Sequence, residues 1–377
     1  MIPVFSNTLG EEELAAIAPI LESRWVGPGK EVEAFEDEFG RHLGVDSVLL
    51  LNSCTSAIYV GLQALGIGPG DEVIISTVNF VANASAVIDL GAKPVFADVD
   101  PRTLNILPKE IERLKTHQTK AVIMLHYGGH AAPIHEIREA CGDDILLVED
   151  AANAVSSEYK GWPCGTLGDM GIWSFDAMKL LVMVDGGALY LPNGKVLEKA
   201  KAFRYLGLAP KGSSGIDSMA EGKERWWEYD LVATSGRYIS NDVLAAIGRV
   251  QLKKLPGFIA RRREIWEYYQ QEFYELFGTN RPPEPPIDTT SSYYFYWLHM
   301  MNHRDELAHC LAENGVYTTF RYYPLHLVKY YDDAGGSLPN AEAASETMLN
   351  LPLHQNLTDE DVDKIVGLVK GFFGKSK

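Results

Sequence analysis

The sequence predicts an α/β protein: a large domain with a mostly parallel sheet wrapped by helices, followed by a small α+β domain at the carboxyl end. Three observations predict it. Between residues 48 and 191, short apolar runs alternate with amphipathic stretches, the pattern of strands joined by crossover helices. A long helical stretch over 242–273, rich in Arg and Lys, reads as the link between the domains. Beyond it, the shorter segments 291–301, 304–314, 317–322 and 358–373 suit a small mixed domain.

Taken in order, residues 11–23 and 31–43 read as helices, separated by the break Val26-Gly27-Pro28-Gly29. The alternation then runs through 48–51, 57–64, 72–75, 82–90 and 94–97. It continues through the apolar runs 121–125, 145–148, 170–175 and 187–191. Residues 212–229 show no clear period, contain Ser213-Ser214-Gly215 and the pair Trp226-Trp227, and read as a long surface excursion. Loops of that length are more often functional or partner-contacting than filler.

Bulk properties exclude several classes. The 377 residues carry a formal net charge of -17, which argues against nucleic acid as a partner, because phosphates need a basic surface. No apolar run approaches a membrane span, so no membrane partner is expected. Met1-Ile2-Pro3-Val4-Phe5-Ser6-Asn7 lacks the order of a secretory signal. Cys54, Cys141, Cys164 and Cys310 show neither paired nor zinc-ligand spacing, which fits reduced cysteines, a cytoplasmic location and no metal site.

The chemistry concentrates where two strands end. The buried run 145–148 leads to Asp150, and the next strand leads into Ser174-Phe175-Asp176-Ala177-Met178-Lys179. One upstream carboxylate and one lysine, in that order, are what a pyridoxal 5'-phosphate site needs. Lys179 would hold the cofactor aldehyde as a Schiff base, and Asp150 would keep the pyridine nitrogen protonated so that the ring accepts electrons. Lys179 sits in the apolar run 177–184, where desolvation is expected to lower its pKa and favour the neutral amine.

Asn52-Ser53-Cys54-Thr55-Ser56-Ala57 follows a strand and opens a helix, a place where backbone N–H groups and hydroxyls seat a phosphate. In isolation the segment reads as simple N-capping by Asn52 or Ser53. Its position ahead of Asp150 and Lys179 selects Thr55 and Ser56 as phosphate contacts, with Ser174 as a third hydroxyl. Phe80, at the start of the helix after the next strand, reads alone as a core residue, and in this surrounding order as an aromatic face that stacks on the pyridine ring. Asp185-Gly186-Gly187 is a turn that also shapes the site, and Arg237 reads either as a solvated loop arginine or as a guanidinium reaching a partner subunit's phosphate. Arg321-Tyr322-Tyr323-Pro324-Leu325-His326 is a compact polar and aromatic group, readable as a site segment or as an edge strand with a turn.

With these residues in place, the chain resembles the DegT/DnrJ/StrS-type sugar aminotransferases, a group within the fold-type I pyridoxal-phosphate enzymes. The resemblance is carried by Gly27-Pro28 with 31–36, by 66–74, by 91–96 with Asp98-Val99-Asp100, by Ala245-Ala246-Ile247-Gly248 with Gln251, Leu252 and Leu255, and by Tyr323-Pro324-Leu325-His326. It implies a seven-stranded sheet in a large cofactor-binding domain over 1–250, whose N-terminal segment packs on a small domain over 251–377. Lys179 matches the Schiff-base lysine, where related sugar 3-dehydratases carry histidine, and Asp150 matches the partner of the pyridine nitrogen. Thr55, Ser56 and Ser174 match phosphate-binding positions and Phe80 the aromatic over the ring. The working unit implied is a homodimer with the site at its interface.

The departures from the family pattern are specific. Asn153 stands where His or Gln is usual, near the cofactor, and Cys54 where glycine is common in the phosphate segment. Asp185 replaces Glu, Val184 replaces a common glycine, and Ser235-Gly236-Arg237-Tyr238-Ile239 moves the arginine two positions earlier. Asp176 adds a carboxylate where aromatic residues or His are frequent, and is assigned with Tyr323 and His326 to the substrate.

The expected activity is a ping-pong aminotransferase, in which Lys179 moves the proton and Asp150 serves both halves. By resemblance the amino donor is L-glutamate and the acceptor a keto-deoxy sugar linked to a nucleotide. The alternatives are amination of a small phosphorylated ketone, with the 212–229 excursion closing over it, a non-catalytic regulatory member of the fold, and a decarboxylase or lyase using the same core residues.

Overall fold

The structure, a computed structural model, describes residues 1–209, 219–222, 224–331 and 336–374. Its centre is a seven-stranded sheet in the order β1-β9-β8-β5-β4-β2-β3. The strands are β1 (Leu49–Leu51), β2 (Glu72–Ser76), β3 (Lys93–Ala97), β4 (Thr119–Leu125), β5 (Leu146–Asp150), β8 (Met170–Ser174) and β9 (Gly187–Tyr190). Only β9 runs against its neighbours; the pairs β3–β2, β2–β4, β4–β5 and β5–β8 are parallel. Parallel strands are covered on both faces, which is why these runs read as continuous apolar stretches rather than alternating ones. Val73, Ile74, Ile75, Val122, Ile123, Leu147 and Val148 are all fully buried.

The covering helices are α1 (Glu11–Ser23), α2 (Lys30–Leu43), α3 (Cys54–Leu65), α4 (Ala82–Asp89), α5 (Pro108–Leu114), α6 (Ile134–Cys141), α7 (Gly194–Phe203) and the long α8 (Asp242–Glu272). Of these, α5, α6 and α7 were not anticipated; each is short, and α6 is only two turns. Helix α8 starts on a capping Asn241, whose Oδ1 accepts the Leu244 N–H at 3.0 Å. It is fastened to α1 and α2 by charge: Arg249 pairs with Glu31 and with Glu38 at 2.6 Å, and Lys254 with Glu13 at 2.8 Å.

The two ends of α8 serve different cores. Ala245, Ile247, Leu255 and Phe258 pack with the large sheet, whereas Ile265, Trp266, Tyr269 and Phe273 join a second core. That second core includes the short α9 (Tyr274–Phe277), α10 (Arg304–Glu313), α12 (Asp359–Gly374), and the antiparallel pair of β11 (Tyr296–His299) with β12 (Met348–Leu351). Strand β11 alternates, sending Trp297 into the first core and Tyr296 and Leu298 into the second. Residues 317–322, expected as regular structure, contribute one isolated bridge, Thr319 to Asn350, and Ile2 bridges Val316. Short strand pieces β6 (Glu158–Tyr159), β7 (Trp162–Pro163) and β10 (Thr289–Thr290) form a separate small sheet, and α11 (Pro339–Thr347) precedes β12.

Part of the 212–229 excursion lies outside the described residues. Within it, Trp226 and Trp227 pack edge to face with centroids 4.8 Å apart and stay exposed. Among the described residues no helix is long and apolar enough to cross a membrane.

Candidate active site

The carboxyl ends of the parallel strands share one edge of the sheet, and ligands in such folds bind outside that edge. Register places the chemistry there. Leu125 at the end of β4 lies opposite Asp150 at the end of β5, and Asp150 lies opposite Ile172 of β8. Ser174 ends β8 opposite Gly187, which starts the reversed strand β9, and Gly187 also faces Leu51 of β1. A side chain at Gly187 would come within 2.5 Å of the Cys54 backbone nitrogen, so glycine here lets the start of α3 lie directly on β9.

These ends surround a cavity of about 250 Å³. Of the residues singled out from sequence, Cys54, Thr55, Phe80, Asp150, Ser174, Asp176 and Lys179 line it, with Asp185. Ser53 caps α3, its hydroxyl accepting the Ser56 N–H at 3.1 Å. That leaves the first-turn N–H groups of Cys54 and Thr55 without an acceptor among the described residues, where the helix dipole favours an anion. Ser56 does not line the cavity: its hydroxyl bonds Asn52 Oδ1 at 2.6 Å and Ser53 Oγ at 2.9 Å, and it faces an adjoining hollow beside Tyr238.

Asp150 is buried and held on both oxygens. Asn83 Nδ2 donates to Oδ2 at 2.6 Å and the Ala152 N–H donates to Oδ1 at 3.1 Å. Burial raises its pKa, against the opposing pull of Asn83, Ala152, Lys179 and His126. The adjacent Glu149 serves a structural purpose, taking the N–H groups of Gly165, Leu167 and Gly168 and the His126 ring.

Lys179 Nζ donates to Asn153 Oδ1 at 3.3 Å and lies 5.2 Å from the Tyr294 ring centroid. Tyr322 reaches the same Asn153 oxygen at 3.4 Å, and Tyr294 donates to the Met178 carbonyl at 3.2 Å. The expectation of a lowered lysine pKa is corrected here. Burial does pull it down, but Tyr294, Tyr322, Asp150 and Cys54 around the amine together raise it above its ordinary value. Burial, then Asp150, likewise pushes the Cys54 thiol up. Asp176 Oδ1 accepts the Met178 N–H at 3.0 Å, closing the turn that aims Lys179 inward.

Several predicted positions fall elsewhere. Tyr323 and His326 do not line the cavity. The His326 ring is buried against Thr77 Oγ1 at 2.8 Å and reaches Glu342 at 3.4 Å, while Tyr323 points to solvent. Arg237 is exposed, its guanidinium 6.0 Å from the Tyr205 ring centroid. Asn153 sits behind Lys179 rather than in the cavity wall.

The structure adds Asn79, Asn83 and Tyr294 to the site, and from the 321–326 group it brings in Arg321 and Tyr322 rather than Tyr323 and His326. Asn83 left a faint signal, an amide in the first turn of the otherwise small and apolar helix after β2. Tyr294 left none. Three buried amide atoms at the site have no partner among the described residues: Asn79 Nδ2, Asn83 Oδ1 and Asn153 Nδ2.

Comparison with known proteins places the chain in a family and a fold. The profile of the DegT/DnrJ/EryC1/StrS aminotransferase family matches residues 7–370. A dTDP-4-dehydro-2,3,6-trideoxy-D-glucose 4-aminotransferase from Saccharopolyspora spinosa is 45% identical over 366 residues, covering 96% of this chain and 94% of that protein. The crystal structure of the aminotransferase TlmJ from Streptoalloteichus hindustanus is 46% identical and superposes with a TM-score of 0.93, all of both chains being covered. A neighbour from Streptococcus pneumoniae, solved in a PLP form, is 26% identical with a TM-score of 0.89 and 99% of each chain covered.

Proposed function

The chain belongs to the DegT/DnrJ/EryC1/StrS aminotransferase family, and from that premise we propose that it transfers the amino group of L-glutamate to a nucleotide-linked keto-deoxy sugar, using pyridoxal 5'-phosphate. The observation that carries this reading is the single cavity that joins the Lys179 amine, the buried Asp150 carboxylate and the N-terminus of α3. The named activity of the Saccharopolyspora spinosa relative supports the acceptor class.

The residues present fit the cofactor. Lys179 would bond its aldehyde carbon, Asp150 would meet its ring nitrogen, and Thr55, Ser174 and the N–H groups of Cys54 and Thr55 would hold its phosphate. The unpartnered amide atoms of Asn83 and Asn153 fit a site completed by a polar group, since buried amides seldom stay unbonded. Phe80 and Tyr322, with centroids 6.0 Å apart, supply apolar wall beside the ring position. When bound, the cofactor supplies an electron sink that lets a proton leave the donor's α-carbon.

Everything else falls to the chain. Asp150, held by Asn83 and Ala152, presents a fixed anion to the cationic ring nitrogen, and that cation would draw its raised pKa back down. Lys179 Nζ takes the proton from the donor's α-carbon in the first half and delivers one to the acceptor's keto carbon in the second. Asn153 Oδ1 holds the amine when it is not bonded to the cofactor. We read the working unit as a homodimer in which the exposed Arg237 serves the partner's phosphate seat; the exposed apolar residues Trp25, Trp227, Leu231 and Val232 support such an interface.

The test is spectral. The enzyme is loaded with cofactor, treated with L-glutamate and desalted; nucleotide-linked 3-keto and 4-keto sugars and small keto phosphates are then added in turn. Return of the visible band only with a nucleotide sugar is the expected outcome. Return only with a keto phosphate would move the acceptor to the smaller class, and a band that glutamate never bleaches would reject the donor.

A further inference from the structure

Besides Lys179, the cavity wall carries a second cation, Arg321, which has no salt-bridge partner among the described residues. Arg321 has its backbone fixed on both sides: its N–H donates to Asn350 Oδ1 at 2.9 Å and its carbonyl accepts the Tyr127 hydroxyl. Its side chain lines the cavity. The guanidinium carbon lies 5.3 Å from the Phe5 ring centroid, and Nη2 lies 3.8 Å from Met178 Sδ. Neither contact neutralises it, and among the described residues Arg321 forms no ion pair. Elsewhere in the chain Arg204, Arg249 and Arg261 are each matched by carboxylates.

We propose that Arg321 binds a carboxylate of the amino donor and so places the donor's α-carbon at Lys179; this rests on the donor reading above. The planar fork of a guanidinium matches a carboxylate with two parallel hydrogen bonds, and stacking over an aromatic ring leaves those in-plane donors free. Met178, which Arg321 touches, is the neighbour of Lys179, and Tyr294 contacts both Met178 and the lysine. Arg321 therefore stands on the wall where the reacting carbon must lie. An amino acid carries a carboxylate one bond from that carbon. A sugar nucleotide carries its diphosphate across the sugar ring from its ketone, so the donor is the better match. Asp176 and Asp185 also line the cavity, and an incoming carboxylate needs a cation to enter beside them.

The experiment compares wild-type holoenzyme with Arg321→Gln and Arg321→Lys. Stopped-flow absorbance follows the half-reaction with L-glutamate and, separately, the half-reaction with a dTDP-linked 4-keto sugar; calorimetry follows glutarate, which binds but cannot react. Arg321→Gln is expected to raise the half-saturating glutamate concentration roughly ten- to a hundredfold. It should also abolish glutarate binding, with the cofactor spectrum unchanged and the acceptor half-reaction altered by no more than about twofold. Arg321→Lys recovers part of the glutamate affinity. L-glutamine and L-isoglutamine separate the two carboxylates, since the amide that replaces the bound carboxylate loses its sensitivity to the substitution. Unchanged glutamate dependence, or a defect confined to the sugar half-reaction, overturns the proposal. A wild-type enzyme indifferent to glutamate overturns the donor reading itself, before any variant is made.

Discussion

Asn83 Nδ2 donates to Asp150 Oδ2 at 2.6 Å with both side chains buried, so the carboxylate at the end of β5 is oriented by the helix that follows β2. Removing that donor leaves a buried anion with one partner fewer, and its already raised pKa rises further. Asn83→Ala should therefore weaken cofactor binding roughly tenfold, because Asp150 meets the ring nitrogen less often as an anion. Titration of apoenzyme with pyridoxal phosphate, read by absorbance, checks this. Unchanged affinity would mean that the Ala152 N–H alone suffices to hold Asp150.

Lys179 makes a prediction of opposite character. The Asp150 carboxylate nearby favours the charged form of its amine, so the amine must shed a proton before it can bond an aldehyde. Cofactor loading of the apoenzyme should accelerate as pH rises toward the lysine's raised pKa. Lys179→Ala should still take up the cofactor non-covalently, through Asp150 and the start of α3, yet lose turnover by about a thousandfold or more. Absorbance and rate measurements on the same preparation separate the two effects. Residual turnover near the wild-type value would place the proton carrier elsewhere.

Val184 adopts φ +72, in the left-handed region that penalises a β-branched residue, and its side chain is half exposed. Glycine at this position relieves the strain while adding its own entropy to the unfolded chain. Val184→Gly should thus raise stability by roughly 1 kcal/mol. Thermal unfolding of the holoenzyme provides the measurement. A fall in melting temperature would show that the valine is packed against something in the assembled protein, outweighing its strain.

The legible parts of the molecule were those with local signatures. Apolar runs of strand length marked the sheet, and Asp150 and Lys179 stood at the ends of two of them. Helices α5 and α6 were missed because seven or eight residues give too few turns for a helical period to emerge. Tyr294 and Arg321 reach the cavity from more than a hundred residues beyond Lys179, which no spacing rule connects. In the 321–326 group the choice fell on Tyr323 and His326, whereas Arg321 and Tyr322 enter the site. The Leu325 N–H bonds the Thr77 carbonyl and the His326 ring bonds its hydroxyl, anchoring the turn to the end of β2 and leaving Tyr323 outside.

His130 gives the fold an acid-sensitive point away from the active site. It is buried edge-on to Trp266 and Trp297, at centroid distances of 6.0 and 5.6 Å, and neither ring nitrogen has a hydrogen-bond partner among the described residues. Burial without a partner pulls its pKa down to about 4. In the unfolded chain the same imidazole protonates near its ordinary value of 6.5. Between those two values the unfolded state holds the extra proton, so the stability His130 contributes is complete above pH 6.5 and is lost as pH falls toward 4, at about 1.4 kcal/mol per pH unit. His354, also pulled to about 4 by burial and by the nearby Arg262, adds a second such proton over the same window. His130→Phe keeps the aromatic packing and removes the proton that His130 contributes. Denaturant unfolding across pH 7 to 5 should therefore show the variant losing stability less steeply, by close to one proton, while its stability at neutral pH stays within about 1.5 kcal/mol of wild type. Equal slopes would mean that His130 finds a hydrogen-bond acceptor in solution, and that the acid sensitivity belongs to His354 and the other burial-lowered histidines, His42 and His299.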